Sequence, residues 1–139
     1  MGSVEQVSFH MTKLRLCCRR CSLTDVQFCL AATIFHQVCR TGHWPREVLS
    51  SLTAACLLLI VKICNQTDRI SLRDVVNVTM VTYGHPLPAK ELPKQLEKYR
   101  EVKVPFKMVV LEDEVKRAES FALRLINFRL PSPTTTATA

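Results

Sequence analysis

Two short spacings are the first candidates for chemistry in this chain. Cys18-x-x-Cys21 and His36-x-x-Cys39 together make a Cys3His set of the kind that tetrahedral zinc takes, with ligands converging at about 2.0–2.3 Å. Against that reading, the residues between the two pairs carry the apolar period of a helix rather than the pattern of a metal loop. Cysteine also behaves as a small buried hydrophobe, a role equally open to Cys29 and Cys56. Core thiols and a small zinc module are both open on these residues. The first is the expectation, with no metal and no cofactor.

Catalytic constellations are poor. The histidines His10, His36, His43 and His85 are scattered, with no metalloprotease helix motif, and no serine sits in a nucleophile elbow. Gly2, Gly42 and Gly84 are too far apart to form a phosphate-cradling loop. The expectation is a binding or regulatory protein, not an enzyme. Lys and Arg number 19 against 12 Asp and Glu, a formal charge of +7 that suits acidic partners. Dispersed charge and an aromatic content of only 6% argue against nucleic acid, and the local cluster Lys13, Arg15, Arg19 and Arg20 reads as a solvated helix face.

Two ionisable residues stand against large apolar surfaces. Lys62 ends the apolar run that begins near Val48, and Glu119 lies among Ala118, Phe121, Ala122 and Leu123. A charge so placed is costly to bury without a partner. Either both are ordinary exposed charges, Glu119 belonging to the solvent face of Lys116 and Arg117, or both rim a surface and await backbone groups of another protein.

The elements that position these residues are helices. An opening helix is expected from Val4 to Cys18. Ser22-Leu23-Thr24-Asp25 has the form of a capping box, followed by Leu23, Val26, Leu30, Ile34 and Val38 on one face, with Gly42 as the left-handed stop. Pro45 suits the first turn of a third helix. From Val48 to Ile63 that helix is apolar almost all round, so it must be surrounded: apolar surface left wet forfeits roughly 25 cal/mol per Å2. A second capping box, Ser71 to Asp74, opens a fourth helix closed by Gly84, although its β-branched residues also permit a strand. A short helix from Lys94 to Arg100 and a long one from Pro105 to about Asn127 complete the set.

The fold class expected is therefore all-α, a single five-helix domain over residues 1–130 around an apolar central third helix, with 131–139 a disordered polar tail. The most apolar stretch, Leu52 to Val61, is about half the ~20 residues of a membrane crossing, so no membrane partner is expected. Glu5, His10, Lys13 and Arg15 interrupt any secretory leader, which leaves the nucleus or cytoplasm as the expected location and the triplets at Asn65 and Asn77 as chance.

The order and spacing of several segments resemble the first cyclin box, and in particular its Q-type branch. That five-helix domain has an apolar third helix ending in Lys, as Leu57-Leu58-Leu59-Ile60-Val61-Lys62 does. Its fifth helix carries a Glu nine residues before a Phe, here Glu119 and Phe128, running into Arg129-Leu130. Ala32-Thr33-Ile34-Phe35-His36 and Leu72-Arg73-Asp74-Val75-Val76-Asn77-Val78 resemble its second and fourth helices. The resemblance implies binding to a cyclin-dependent protein kinase, with Lys62 and Glu119 hydrogen-bonding kinase main-chain groups. An apolar kinase residue would enter a pocket walled by Leu59, Ile63, Leu123 and Leu130. Cys64-Asn65 replace the glutamates that commonly follow the family Lys, and the second cyclin box is absent. The rival expectations are a diverged cyclin-box module for nucleic acid or transcription factors, and the zinc module above.

Overall fold

The computed structural model describes residues 4–41, 48–84, 93, 95–102 and 112–125, with only the backbone for 4, 5 and 41. Among these the chain is all-helical: α1 (Val4–Arg20), α2 (Asp25–Thr41), α3 (Leu49–Ile63), α4 (Leu72–Gly84), a 3-10 helix (Leu96–Glu101) and α5 (Glu112–Leu125). The stretch from 72 to 84, whose β-branched residues would also suit a strand, is a helix. The expected roles of Gly42 and Pro45, the start of the last helix at Pro105 and the tail beyond 130 lie outside the described residues.

Every residue of α3 from Ser51 to Val61 is buried. The helix touches α1, α2, α4 and α5, which is the enclosure its uniformly apolar circumference demands. The two hydroxyls within that buried run do not spoil the burial. Thr53 donates to the Leu49 carbonyl one turn back at 2.9 Å, and Ser51 donates to Glu114 of α5 at 3.4 Å. Thr79 and Thr82 of α4 likewise donate to the carbonyls four residues earlier.

The turn between α1 and α2 departs from the expected capping box. Ser22 has φ 59°, and it ends α1 rather than starting α2. The Leu23 amide donates to the Cys18 carbonyl at 2.9 Å and the Ser22 amide to Arg19 at 3.0 Å, the two-bond closure of a helix through a left-handed residue. The cap of α2 is displaced two residues on: the Thr24 amide donates to Gln27 Oε1 at 2.8 Å, and the Gln27 amide donates to Thr24 Oγ1 at 3.2 Å. The box needs Thr-x-x-Gln with its first residue outside the helix, and Ser22 is already committed to closing α1. The box before α4 forms as expected, the Ser71 amide donating to Asp74 Oδ2 and the Asp74 amide to Ser71 Oγ, both at 3.1 Å.

Not all of the basic cluster on α1 is solvated. Arg20 is buried and donates to Thr82 at 2.8 Å, while Arg15 and Arg19 are exposed. The short helix expected from Lys94 is the tighter 3-10 form, which sinks Tyr99 into the core with its hydroxyl on the Pro93 carbonyl at 3.2 Å.

A polar relay ties α1, α3 and α4 together. His10 Nδ1 lies 2.6 Å from the Tyr83 hydroxyl, which lies 2.9 Å from Thr53 Oγ1. Counting protons orients it. The Thr53 hydrogen goes to Leu49, so Tyr83 donates to Thr53 and His10 Nδ1–H donates to Tyr83. Burial pushes the Tyr83 phenol up, which keeps its hydrogen in place.

Tyr83→Phe should therefore cost about 1–3 kcal/mol in denaturant unfolding, because the buried imidazole loses its acceptor. Cysteine labelling checks the core directly. Cys17, Cys18, Cys21 and Cys56 are buried and desolvation raises each thiol, whereas Cys29 is exposed. Iodoacetamide followed by mass spectrometry should modify Cys29 first and leave those four unmodified until the chain unfolds.

Candidate functional site

The last turn of α3 is where its burial ends. Asn65 has φ 56° and closes the helix: the Gln66 amide donates to the Val61 carbonyl at 2.8 Å and the Asn65 amide to Lys62 at 3.2 Å. Asparagine tolerates the left-handed conformation better than most residues. The closure holds Lys62 immediately beyond the fully buried part of α3, and a cation there also suits the negative end of the helix dipole.

Opposite it, α5 packs on α3 through Val115, Ala118, Glu119 and Ala122. Spacing explains that face: residues three and four apart share one side of a helix. Glu119 thus falls on the buried side, while Lys116, Arg117, Ser120 and Phe121 are exposed. The reading of Glu119 as part of the Lys116 and Arg117 solvent face does not hold.

The structure brings Lys62 and Glu119 together. Lys62 Nζ donates to Glu119 Oε2 at 2.8 Å and to Oε1 at 3.0 Å. Their side chains are 52% and 11% exposed, and this asymmetry governs the energetics. The carboxylate has lost most of its water and takes the ammonium in exchange, while the ammonium keeps solvent on one side and a third hydrogen to give. Two separate charges awaiting outside groups, as the sequence suggests, are instead each other's partners. The pair is a polar clasp across the α3–α5 seam, reachable from one side.

Of the expected pocket walls on the same helices, Leu59 is buried at 3% exposure and belongs to the core, while Ile63 and Leu123 are half-buried and pack against that core. Leu130 lies outside the described residues. Three of the four expected pocket walls are therefore described, two of them with surface to offer. Neither the Ser51–Glu114 link, which pins the other end of the α3–α5 seam, nor the closing role of Asn65 was anticipated. The second had a signal in the sequence, an Asn two residues past the last apolar position of the rod.

The Cys3His set does not converge. Cys18 and Cys21 face the core, Cys39 is half-buried and His36 is exposed, and no group of three or more His, Cys, Asp or Glu side chains among the described residues could hold a metal ion. Burial also raises the Cys18 and Cys21 thiols, which opposes the thiolate that zinc needs, and moves Cys39 up to about 11. The α1–α2 pairing separates these residues because the helices that carry them have their own apolar faces to bury. No described helix is long and apolar enough to cross a membrane. Comparison with protein-family models, curated proteins and solved structures finds no match.

Proposed function

We propose that the chain is a cyclin-like regulatory subunit that binds a cyclin-dependent protein kinase through the ends of α3 and α5, and activates it by that contact. The observation that carries this reading is the Lys62–Glu119 clasp at the end of an otherwise buried rod, with the half-buried Ile63 and Leu123 on the same two helix ends. An all-helical arrangement in which four α-helices touch a central fifth is also what a five-helix cyclin box requires.

The physical logic needs no catalyst in this chain. Apolar side chains supply affinity by leaving water, and desolvated polar groups fix the register of the partner. Lys62 has a hydrogen to spare and the Glu119 oxygens have lone pairs to spare, so main-chain carbonyl and amide groups of a kinase can join the clasp without breaking it. Leu59, Ile63, Leu123 and Leu130 would receive an apolar residue of the kinase's regulatory helix. Docking would bias that helix toward its active arrangement, and the phosphoryl transfer belongs to the kinase. Such a subunit works wherever its kinase does, in the nucleus or cytoplasm.

Capture by a panel of purified cyclin-dependent kinases tests the assignment. Glu119→Ala should weaken capture by about 2–5 kcal/mol, as truncation of a desolvated polar contact does. The same change should alter stability by less than about 1 kcal/mol, because it leaves behind only a half-exposed ammonium. Lys62→Ala should be the more destabilising of the two, by about 1–3 kcal/mol, since it strands the shielded carboxylate. Capture unchanged in both variants would show that the surface is misassigned.

A further inference from the structure

A groove of about 430 Å3 runs between α1 and α2, lined by Val7, Ser8, Met11, Thr12 and Arg15 from the first helix and Phe28 and His36 from the second. It contains neither Lys62 nor Glu119. Its size falls in the ~300–1,000 Å3 range of clefts that hold ligands. Val7, Met11 and Phe28 are half-buried, so the floor is apolar and reachable. The Thr12 hydroxyl already donates to the Ser8 carbonyl at 3.0 Å, which leaves that wall with little to give a polar ligand.

The groove has a charge pattern as well as a floor. Among the described residues that line it, none is acidic. Arg15 is exposed and its guanidinium lies 5.9 Å from the Phe28 ring centroid, an arrangement that pre-sets its direction without neutralising it. His36 stands eight residues from Phe28 along α2, about two helical turns or ~12 Å of rise, while Arg15 reaches over Phe28 itself. Val7 and Met11 follow on α1 one turn apart. Among the described side chains of the surrounding hairpin, Arg19 and Arg40 are exposed, as is Asp25.

An apolar floor with a basic group toward each end fits one kind of occupant. We propose that the α1–α2 groove is a second docking site, for an acidic amphipathic helix of a partner protein. Two or three bulky apolar side chains of that helix fill the space over Val7, Met11 and Phe28, and carboxylates about two turns apart meet Arg15 and His36. Helices laid into grooves are read through anchors at this spacing, and the flexible thioether of Met11 adapts to them. A nucleic-acid strand is the weaker fit, because Phe28, the one phenyl ring among the described lining residues, is half-buried and has the Arg15 guanidinium over it. The site is independent of the kinase surface, so the chain would join two partners on separate faces.

Selection from a displayed library of sixteen-residue helical peptides, with the full chain as bait and Met11→Glu as counter-bait, tests this. Enriched sequences should carry Leu, Ile, Met or Phe at intervals of three and four, with Asp or Glu at both ends of the run. The best peptide should lose at least tenfold in affinity, by fluorescence anisotropy, to Arg15→Glu, and a Glu→Lys exchange in the peptide should restore it. Circular dichroism melts establish that Met11→Glu and Arg15→Glu remain folded, and Phe28→Ser gives a second, uncharged lesion that should also weaken binding tenfold. Enrichment of basic peptides, no enrichment over the counter-bait, or no rescue by the charge exchange would overturn the proposal. So would displacement of the peptide by a single-stranded oligonucleotide, or sedimentation showing a dimer of this chain that Met11→Glu abolishes.

Discussion

The constraint on which the molecule depends is that α3 has no side that water can touch. Eleven consecutive residues, Ser51 to Val61, are buried. At roughly 25 cal/mol per Å2 of apolar surface, no arrangement that leaves one flank of this rod open competes with one that covers it. Four helices are the natural sheath for a fifth, and α1, α2, α4 and α5 all touch it. The enclosure also dictates where polar chemistry can occur. Along the rod, hydroxyls are satisfied internally, as Thr53 is by the Leu49 carbonyl, and only at its end does a charged side chain reach solvent.

That end is built by two choices of residue acting on different scales. Asn65 in the left-handed conformation stops α3 one turn after its last buried residue, so Lys62 is held by backbone geometry. Glu119 is brought in by the face that α5 must bury, the residues Val115, Ala118 and Ala122, which leaves its side chain 11% exposed with the Lys62 ammonium against its carboxylate. Neither residue needs the other in order to be placed. Their meeting at 2.8 Å follows from packing two helices that each obey their own period.

Much of this was legible in the residues because it rests on local rules. The apolar run of α3, the Ser71–Asp74 box and the helical period of α5 each need only a few neighbouring side chains to declare themselves. The shift of the α2 cap from Ser22 to Thr24 was not legible in the same way, since both serine and threonine fit a capping box. What decides is that Ser22 is used by α1, and the competition between two helix ends for one residue appears only when both are in place. The Lys62–Glu119 pairing is non-local in the same sense. Charge beside apolar surface marked both residues, yet nothing in either segment says that the two segments meet. The Cys3His spacing misled for the converse reason: a ligand pattern can be matched by residues that the helix period has already assigned to the core.

The cysteines then make a different argument about the core. Cys17, Cys18, Cys21 and Cys56 are packed among leucines and valines, with thiols raised by desolvation. They are small and weakly polar, so they admit close approach of α1 to α3 and α4 without the hydrogen bonds a serine would demand. Where α1 needs a fixed relation to α4 it uses stronger groups, Arg20 on Thr82 and His10 on Tyr83. One helix therefore presents a thiol face to the core, a polar face to α4 and a further edge, Val7, Met11 and Arg15, that α2 only half covers. The uncovered edge follows from that division, because a helix already committed on two sides has only a narrow strip left to offer a third neighbour.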